Sequence, residues 1–168
     1  MSPAVVLIGS PGAGKSSVGR RLAERLGVAF EDTDHIIEAD TGMTISDIFV
    51  TLGEDEFRRM EVEAVQRALA ERDGVLALGG GAVMRDETRD LLRGQTVVWL
   101  KVTVSDAVHR VGMNQARPLL LGNVRGTLSA LLDKRNPVYA VVATAVVDTT
   151  GKSLREVVDE VAKVVRHE

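Results

Sequence analysis

The segment Gly9-Ser10-Pro11-Gly12-Ala13-Gly14-Lys15-Ser16 constrains this chain more than any other stretch, because it fits G-x-x-x-x-G-K-[ST] in the right surroundings. Before it runs Ala4-Val5-Val6-Leu7-Ile8, short and β-branched enough for a buried strand. After it, Val18, Leu22 and Leu26 recur at helical spacing, with Arg20, Arg21, Glu24 and Arg25 between them. Strand, glycine loop and helix together make a phosphate-binding loop. The glycines let backbone N–H groups reach phosphate oxygens at the positive end of a helix dipole. Lys15 can reach the β- and γ-phosphates, and the Ser16 hydroxyl can ligate Mg²⁺. The alternative, a glycine-rich turn capped by serine, leaves the flanking strand and helix unexplained. A nucleoside triphosphate is the expected ligand.

Composition excludes several other functions. The 168 residues suit one compact domain with a full core. A net charge of −3 argues against a nucleic-acid groove that depends on bulk positive charge. With no cysteine, disulfides, thiolate zinc sites and cysteine nucleophiles are excluded. No apolar run approaches the roughly 20 residues that span a bilayer. The chain enters its first strand almost at once, so no leader is expected and the cytoplasm is the default.

Apolar runs at 4–8, 28–31, 75–78, 96–100 and 145–147 alternate with helical patterns, the clearest at 54–72, 86–92, 105–111 and 153–165. That alternation predicts an α/β fold, a parallel sheet with helices on both faces. Segment 112–126 carries Gly112, Gly122 and Gly126 around Arg117-Pro118 and has no clear periodicity, so it reads as a flap rather than core.

Three further features point to a small acidic acceptor. Strand alternation after position 28 places Asp32 and Asp34 on one side, at the carboxyl end of the sheet where ligands bind. One carboxylate can hold the Mg²⁺ water shell while the other takes a hydroxyl proton. A structural reading competes: Asp34 as the N-cap of a helix beginning at His35. In the next helix, Arg58, Val62, Val65 and Leu69 share a stripe, so Arg58 points inward and Glu61 can hold it. Arg59 falls on the solvated face with Asp55, Glu63 and Gln66. An inward arginine suits a carboxylate, which its planar fork grips bidentately. Gly79-Gly80-Gly81 strips side chains from one wall beside the loop, bringing backbone N–H groups within reach of a ligand. The histidines His35, His109 and His167 show no metal spacing, and Trp99 reads as sheet packing.

These pieces, together with Arg117-Pro118-Leu119-Leu120 and Arg135 followed by Pro137 and Tyr139, resemble the shikimate kinases over nearly the whole chain. The resemblance implies one three-layer α/β/α P-loop kinase domain over 1–168. It also implies a five-stranded parallel sheet of order 2-3-1-4-5 and a mobile lid near 112–126. It implies transfer of the ATP γ-phosphate to the 3-hydroxyl of shikimate, on the pathway to chorismate, with Mg²⁺ as cofactor. The nucleotide is expected at Gly12, Ala13, Gly14, Lys15, Ser16, Ser17, Arg110 and Arg117. Arg110 would lie along the adenine, and Arg117 would reach the phosphate from the lid. The metal falls to Ser16 and Asp32. Lys15, Asp34 and Arg117 are the implied catalytic residues. Shikimate is expected at Asp34, Phe49, Phe57, Arg58, Gly79, Gly80, Gly81 and Arg135, the two arginines on its carboxylate and the phenylalanines against its ring. A cytoplasmic monomer that binds neither nucleic acid nor membrane completes the expectation. Other readings remain: a kinase for another polar acid such as gluconate, or a nucleotide-gated binding module with no acceptor.

Overall fold

The computed structural model describes residues 2–112 and 123–166. Five strands form one parallel sheet of order β2-β3-β1-β4-β5: β1 (Val5–Ile8), β2 (Phe30–Asp32), β3 (Val75–Ala77), β4 (Val97–Lys101) and β5 (Ala145–Asp148). The helices are α1 (Lys15–Leu26), α2 (Thr33–Thr41), α3 (Ile45–Leu52), α4 (Glu54–Glu71), α5 (Asp86–Leu91), α6 (Val104–Gly112), α7 (Val124–Val142) and α8 (Leu154–Arg166). A short 3₁₀ turn spans Ala82–Met84.

All four residues of β1 are buried, as a central parallel strand covered on both faces requires. Their side chains alternate between two cores. Val5 and Leu7 share one with Val18 and Leu22 of α1 and Val157 and Val161 of α8. Val6 and Ile8 share the other with Val65 and Leu69 of α4 and Tyr139 of α7. Register then sets where the loops emerge. Val5 pairs with Val75 and Leu7 with Ala77, so the segments following β1 and β3 leave the same sheet edge side by side. Those segments are the phosphate loop and the glycine triplet.

A third, smaller core of Ile37, Ile48, Phe57 and Ala64 joins α2, α3 and α4 to one another. Each large side chain buried there contributes about 1.5–3 kcal/mol. Because α2 and α4 lie on this cluster, it aims their polar residues at the sheet edge.

Two local expectations need correction. Helix α2 begins at Thr33, not His35, and its N-cap is Asp32: Asp32 Oδ1 accepts the Asp34 N–H at 2.9 Å. Asp34 is therefore in a first helical turn, and strand alternation with Asp32 does not apply. The segment 112–126 is also not loop at its margins. Gly112 ends α6, and Val124, Arg125 and Gly126 begin α7, where Asn123 Oδ1 caps the Gly126 N–H at 3.0 Å. Residues 113–122, Arg117 among them, lie outside the described residues. No helix among the described residues is long and apolar enough to cross a membrane.

Candidate active site

The loop between β1 and α1 is shaped by its glycines. Gly12 and Gly14 have φ of 82° and 87°, a left-handed backbone that side chains disfavour, and Gly14 is the N-cap of α1. The turn opens the helix N-terminus to an anion without a side chain in the way. Ala13 is buried beneath the loop, while Ser16 and Ser17 are exposed on its outer side. Lys15 Nζ donates to the carbonyls of Gly9 at 2.6 Å and Ser10 at 3.2 Å, so its ammonium is held within the loop. Arg110, from α6, donates through Nη1 to the Gly12 carbonyl at 2.9 Å and to Thr149 Oγ1 at 3.5 Å. It thereby ties the phosphate loop to the loop that follows β5.

Ser16 Oγ donates to Asp32 Oδ2 at 3.4 Å. One hydroxyl and one carboxylate, both hard oxygen donors beside a phosphate loop, fit Mg²⁺, which completes its shell with substrate phosphates and water. Among the described residues there is no group of three or more acidic or histidine side chains placed to hold a metal ion.

The glycine triplet is the hub of the other half. A Cβ on Gly79 would stand 2.8 Å from both Asp34 Oδ1 and Glu61 Oε2. On Gly80 it would stand 2.9 Å from Arg135 Nη1, and on Gly81 2.5 Å from Arg58 Nη2. Each glycine thus makes room for a charged side chain from a different helix: α2, α4 or α7. This differs from the expected bare backbone wall, since the wall is carpeted with polar groups. Gly79 does not present its N–H outward either, because Thr33 Oγ1 accepts it at 3.1 Å. The Gly80 position also lies 3.4 Å from Pro11 Cδ and 3.6 Å from the Gly9 carbonyl, so the two halves abut.

Helix α4 sets the arginine geometry. Its buried face runs through Phe57, Glu61, Ala64, Val65, Ala68 and Leu69, with Arg58 at the edge. The Arg58 side chain is 15% exposed; Nη1 donates to Glu61 Oε1 at 2.8 Å, and the guanidinium lies 5.2 Å from the Phe57 ring centre. Phe49 packs against Phe57 with centroids 4.9 Å apart, at the third core beneath Arg58. Arg59 faces solvent and pairs with Glu56 and Glu63. On α7, Leu128, Leu132, Arg135 and Tyr139 follow one stripe, which carries Arg135 to the glycine wall. Tyr139, fully buried, donates through its hydroxyl to the Gly80 carbonyl at 2.5 Å and packs at a tilt against Trp99. Burial pushes the Tyr139 hydroxyl up to about 12, so it remains a donor. Burial likewise pushes the Glu61 carboxyl up to about 7, with Arg58 pulling the other way.

The sequence-predicted residues therefore gather in two adjoining groups. Gly12, Ala13, Gly14, Lys15, Ser16, Ser17, Asp32 and Arg110 lie on or beside the phosphate loop. Asp34, Phe49, Phe57, Arg58, Gly79, Gly80, Gly81 and Arg135 lie at the triplet or on the helices around it. Two supporting roles are not evident from the sequence: Thr33 fixes Gly79, and Tyr139, there only a residue of the resemblance, fixes Gly80. The 128-132-135-139 spacing was the available signal for the second. His35 and His109 are exposed and take no part.

Comparison with known proteins agrees over nearly the whole chain. The shikimate kinase family model matches residues 11–166. The shikimate kinase of Salinispora tropica is 56% identical over 162 residues, 96% of this chain and 97% of that one. A solved shikimate kinase from Acinetobacter baumannii in complex with shikimate superposes with a TM-score of 0.92 at 36% identity, covering 99% of this chain and 94% of that one. A gluconokinase from Sinorhizobium meliloti, at 23% identity, 99% and 93% coverage and a TM-score of 0.62, shares the fold alone. With a phosphate loop abutting a pocket of arginines and carboxylates, and relatives of this closeness along its length, the chain belongs to the shikimate kinase family.

Proposed function

We propose that the two adjoining groups divide the family's reaction between them, the phosphate loop holding ATP and the glycine-wall pocket holding shikimate. As a shikimate kinase, the chain transfers the γ-phosphate of ATP to the 3-hydroxyl of shikimate, with Mg²⁺. The observation that carries the division is the position at Gly80. From that one point Arg135 is 2.9 Å away and the phosphate loop 3.4–3.6 Å, so donor and acceptor meet there.

Lys15 leaves the carbonyls of Gly9 and Ser10 for the β- and γ-phosphates and offsets charge as the phosphoryl group moves. Ser16 and Asp32 would hold the Mg²⁺ ion, which would neutralise charge on the phosphates. Asp34 orients the acceptor hydroxyl and accepts its proton. Phosphoryl transfer has a loose transition state, so orientation counts for more than basicity. Arg58 and Arg135 grip the substrate carboxylate, and Phe49 and Phe57 exclude water beside the ring. We read the chain as a monomer of the cytoplasm.

Release of ADP with shikimate, with gluconate and with no acceptor tests the reading. Rapid ADP release with shikimate alone, and a phosphate monoester at its 3-position by phosphorus NMR, is the expected result. Equal release without acceptor would make the chain a nucleotide-gated module. Preference for gluconate would assign another acid.

A further inference from the structure

Glu61 is the only buried carboxylate among the described residues, and the transfer scheme leaves it no chemistry. Its side chain is 1% exposed. Oε1 is satisfied by Arg58 Nη1 at 2.8 Å, yet Oε2 has no hydrogen-bond partner among the described residues. Gly79 lets a second carboxylate approach it. Asp34 Oδ1 and Glu61 Oε2 each lie 2.8 Å from the same point, so they are at most 5.6 Å apart, twice 2.8 Å. The charged groups facing Glu61 are Arg58 on its own helix, Asp34 on α2 and Arg135 on α7, while the segment after β3 contributes only glycine backbone. Tyr139, on α7 beyond Arg135, is engaged with the Gly80 carbonyl.

An ionised carboxylate in that setting has one oxygen without a donor and a like charge nearby, both of which favour the protonated form. Two cations oppose this, Arg58 and Arg135. On the reading above, these are the cations that an acidic substrate engages. Its carboxylate takes a share of their field and adds negative charge to the pocket, so the balance at Glu61 tips further toward the acid.

Resting on that reading, we propose that Glu61 is a positioning residue that takes up a proton at Oε2 when shikimate binds. The proton comes from bulk water, forms an O–H bond directed toward Asp34, and returns to water when the acceptor leaves. Arg58 can then bridge Glu61 Oε1 and the substrate carboxylate without an uncompensated charge between them. Burial already holds the Glu61 carboxyl near 7 in the free pocket, so uptake falls in the neutral to mildly alkaline range. Above that range binding must first supply the proton, and shikimate affinity falls as pH rises.

Calorimetric titration of the nucleotide-free chain with shikimate, in buffers of different ionisation enthalpy from pH 6 to 9, tests this. The expected result is uptake of a fraction of one proton near pH 7–8 and a Kd that rises several-fold by pH 9. Glu61→Gln keeps an acceptor for Arg58 and places an amide where the proton would be, so it should bind with no uptake and a flat pH profile. Infrared difference spectra of the wild-type chain give a readout independent of the variant. Shikimate should produce a protonated-carboxyl C=O band that shifts when glutamate is ¹³C-labelled. Binding without uptake or without that band overturns the proposal, and so does undiminished uptake in Glu61→Gln. Failure of shikimate to bind at all would instead overturn the function it rests on.

Discussion

The two halves of the site are built differently. The phosphate loop is eight consecutive residues, and its recognition groups are largely backbone N–H set by Gly12 and Gly14 and backed by the main sheet core. The acceptor pocket draws Asp34, Arg58, Glu61 and Arg135 from three helices across about a hundred residues. Two of those helices, α2 and α4, rest on a four-residue satellite core. A backbone-built site needs few particular side chains and stands or falls with one turn. A side-chain-built site can be tuned to its ligand, but its members depend on one another. Arg58 and Glu61 show this: without Arg58 the buried Glu61 carboxylate loses its one donor among the described residues, whereas Arg58 without Glu61 still has Glu54 at 3.7 Å.

If the halves are separable, damage to one should leave the other's ligand unaffected. The largest effect is expected at Lys15. Lys15→Met should lower kcat by about 10²–10⁴, because one positioned cation on the moving phosphoryl group is worth roughly 3–5 kcal/mol. Shikimate binding measured by calorimetry should stay within about twofold. A parallel loss of shikimate affinity would show that the halves are one unit.

A smaller effect sharpens the comparison from the other side. Gly80→Ala puts a methyl group 2.9 Å from Arg135 Nη1, so the arginine must shift. KM for shikimate should rise about tenfold, with KM for ATP little changed. Because the same position lies 3.4 Å from Pro11, a comparable rise in the ATP value would reveal mechanical coupling across the seam.

The smallest effect is expected at Tyr139. Tyr139→Phe removes the hydroxyl that holds the Gly80 carbonyl, lowering stability by about 1–3 kcal/mol in denaturant titration. KM for shikimate should rise only a few-fold. An unchanged stability and KM would mean that the glycine wall holds its shape without this tether.

The same contrast explains what was legible. A contiguous loop between a strand and a helix can be read from the sequence, and so could the inward turn of Arg58, because four residues of one stripe carry it. Asp32 and Asp34 were recognised as a pair for the wrong geometric reason. Alternation needs the strand to run through Asp34, but β2 ends at Asp32, which caps the helix that holds Asp34. Helix α7 is missing from the helical patterns above, and it contains Gly126 and Pro137. The helix absorbs both, one in its first turn and one with its ring on an exposed face. The roles of Tyr139 and Thr33 are tethers to glycines, visible only once the wall is folded.

The central claim is that side chains converging on the glycine wall read a carboxylate, and competition between shikimate and its neutral carboxamide tests it most directly. Wild-type kcat/KM should favour shikimate by about 10²–10³, the value of a charge-matched fork lost to an uncharged partner. Arg58→Lys and Arg135→Lys should each shrink that ratio while leaving KM for ATP within about twofold. Discrimination equally strong in wild type and both variants would contradict the account, because the arginines would then serve the fold or the nucleotide rather than the acid.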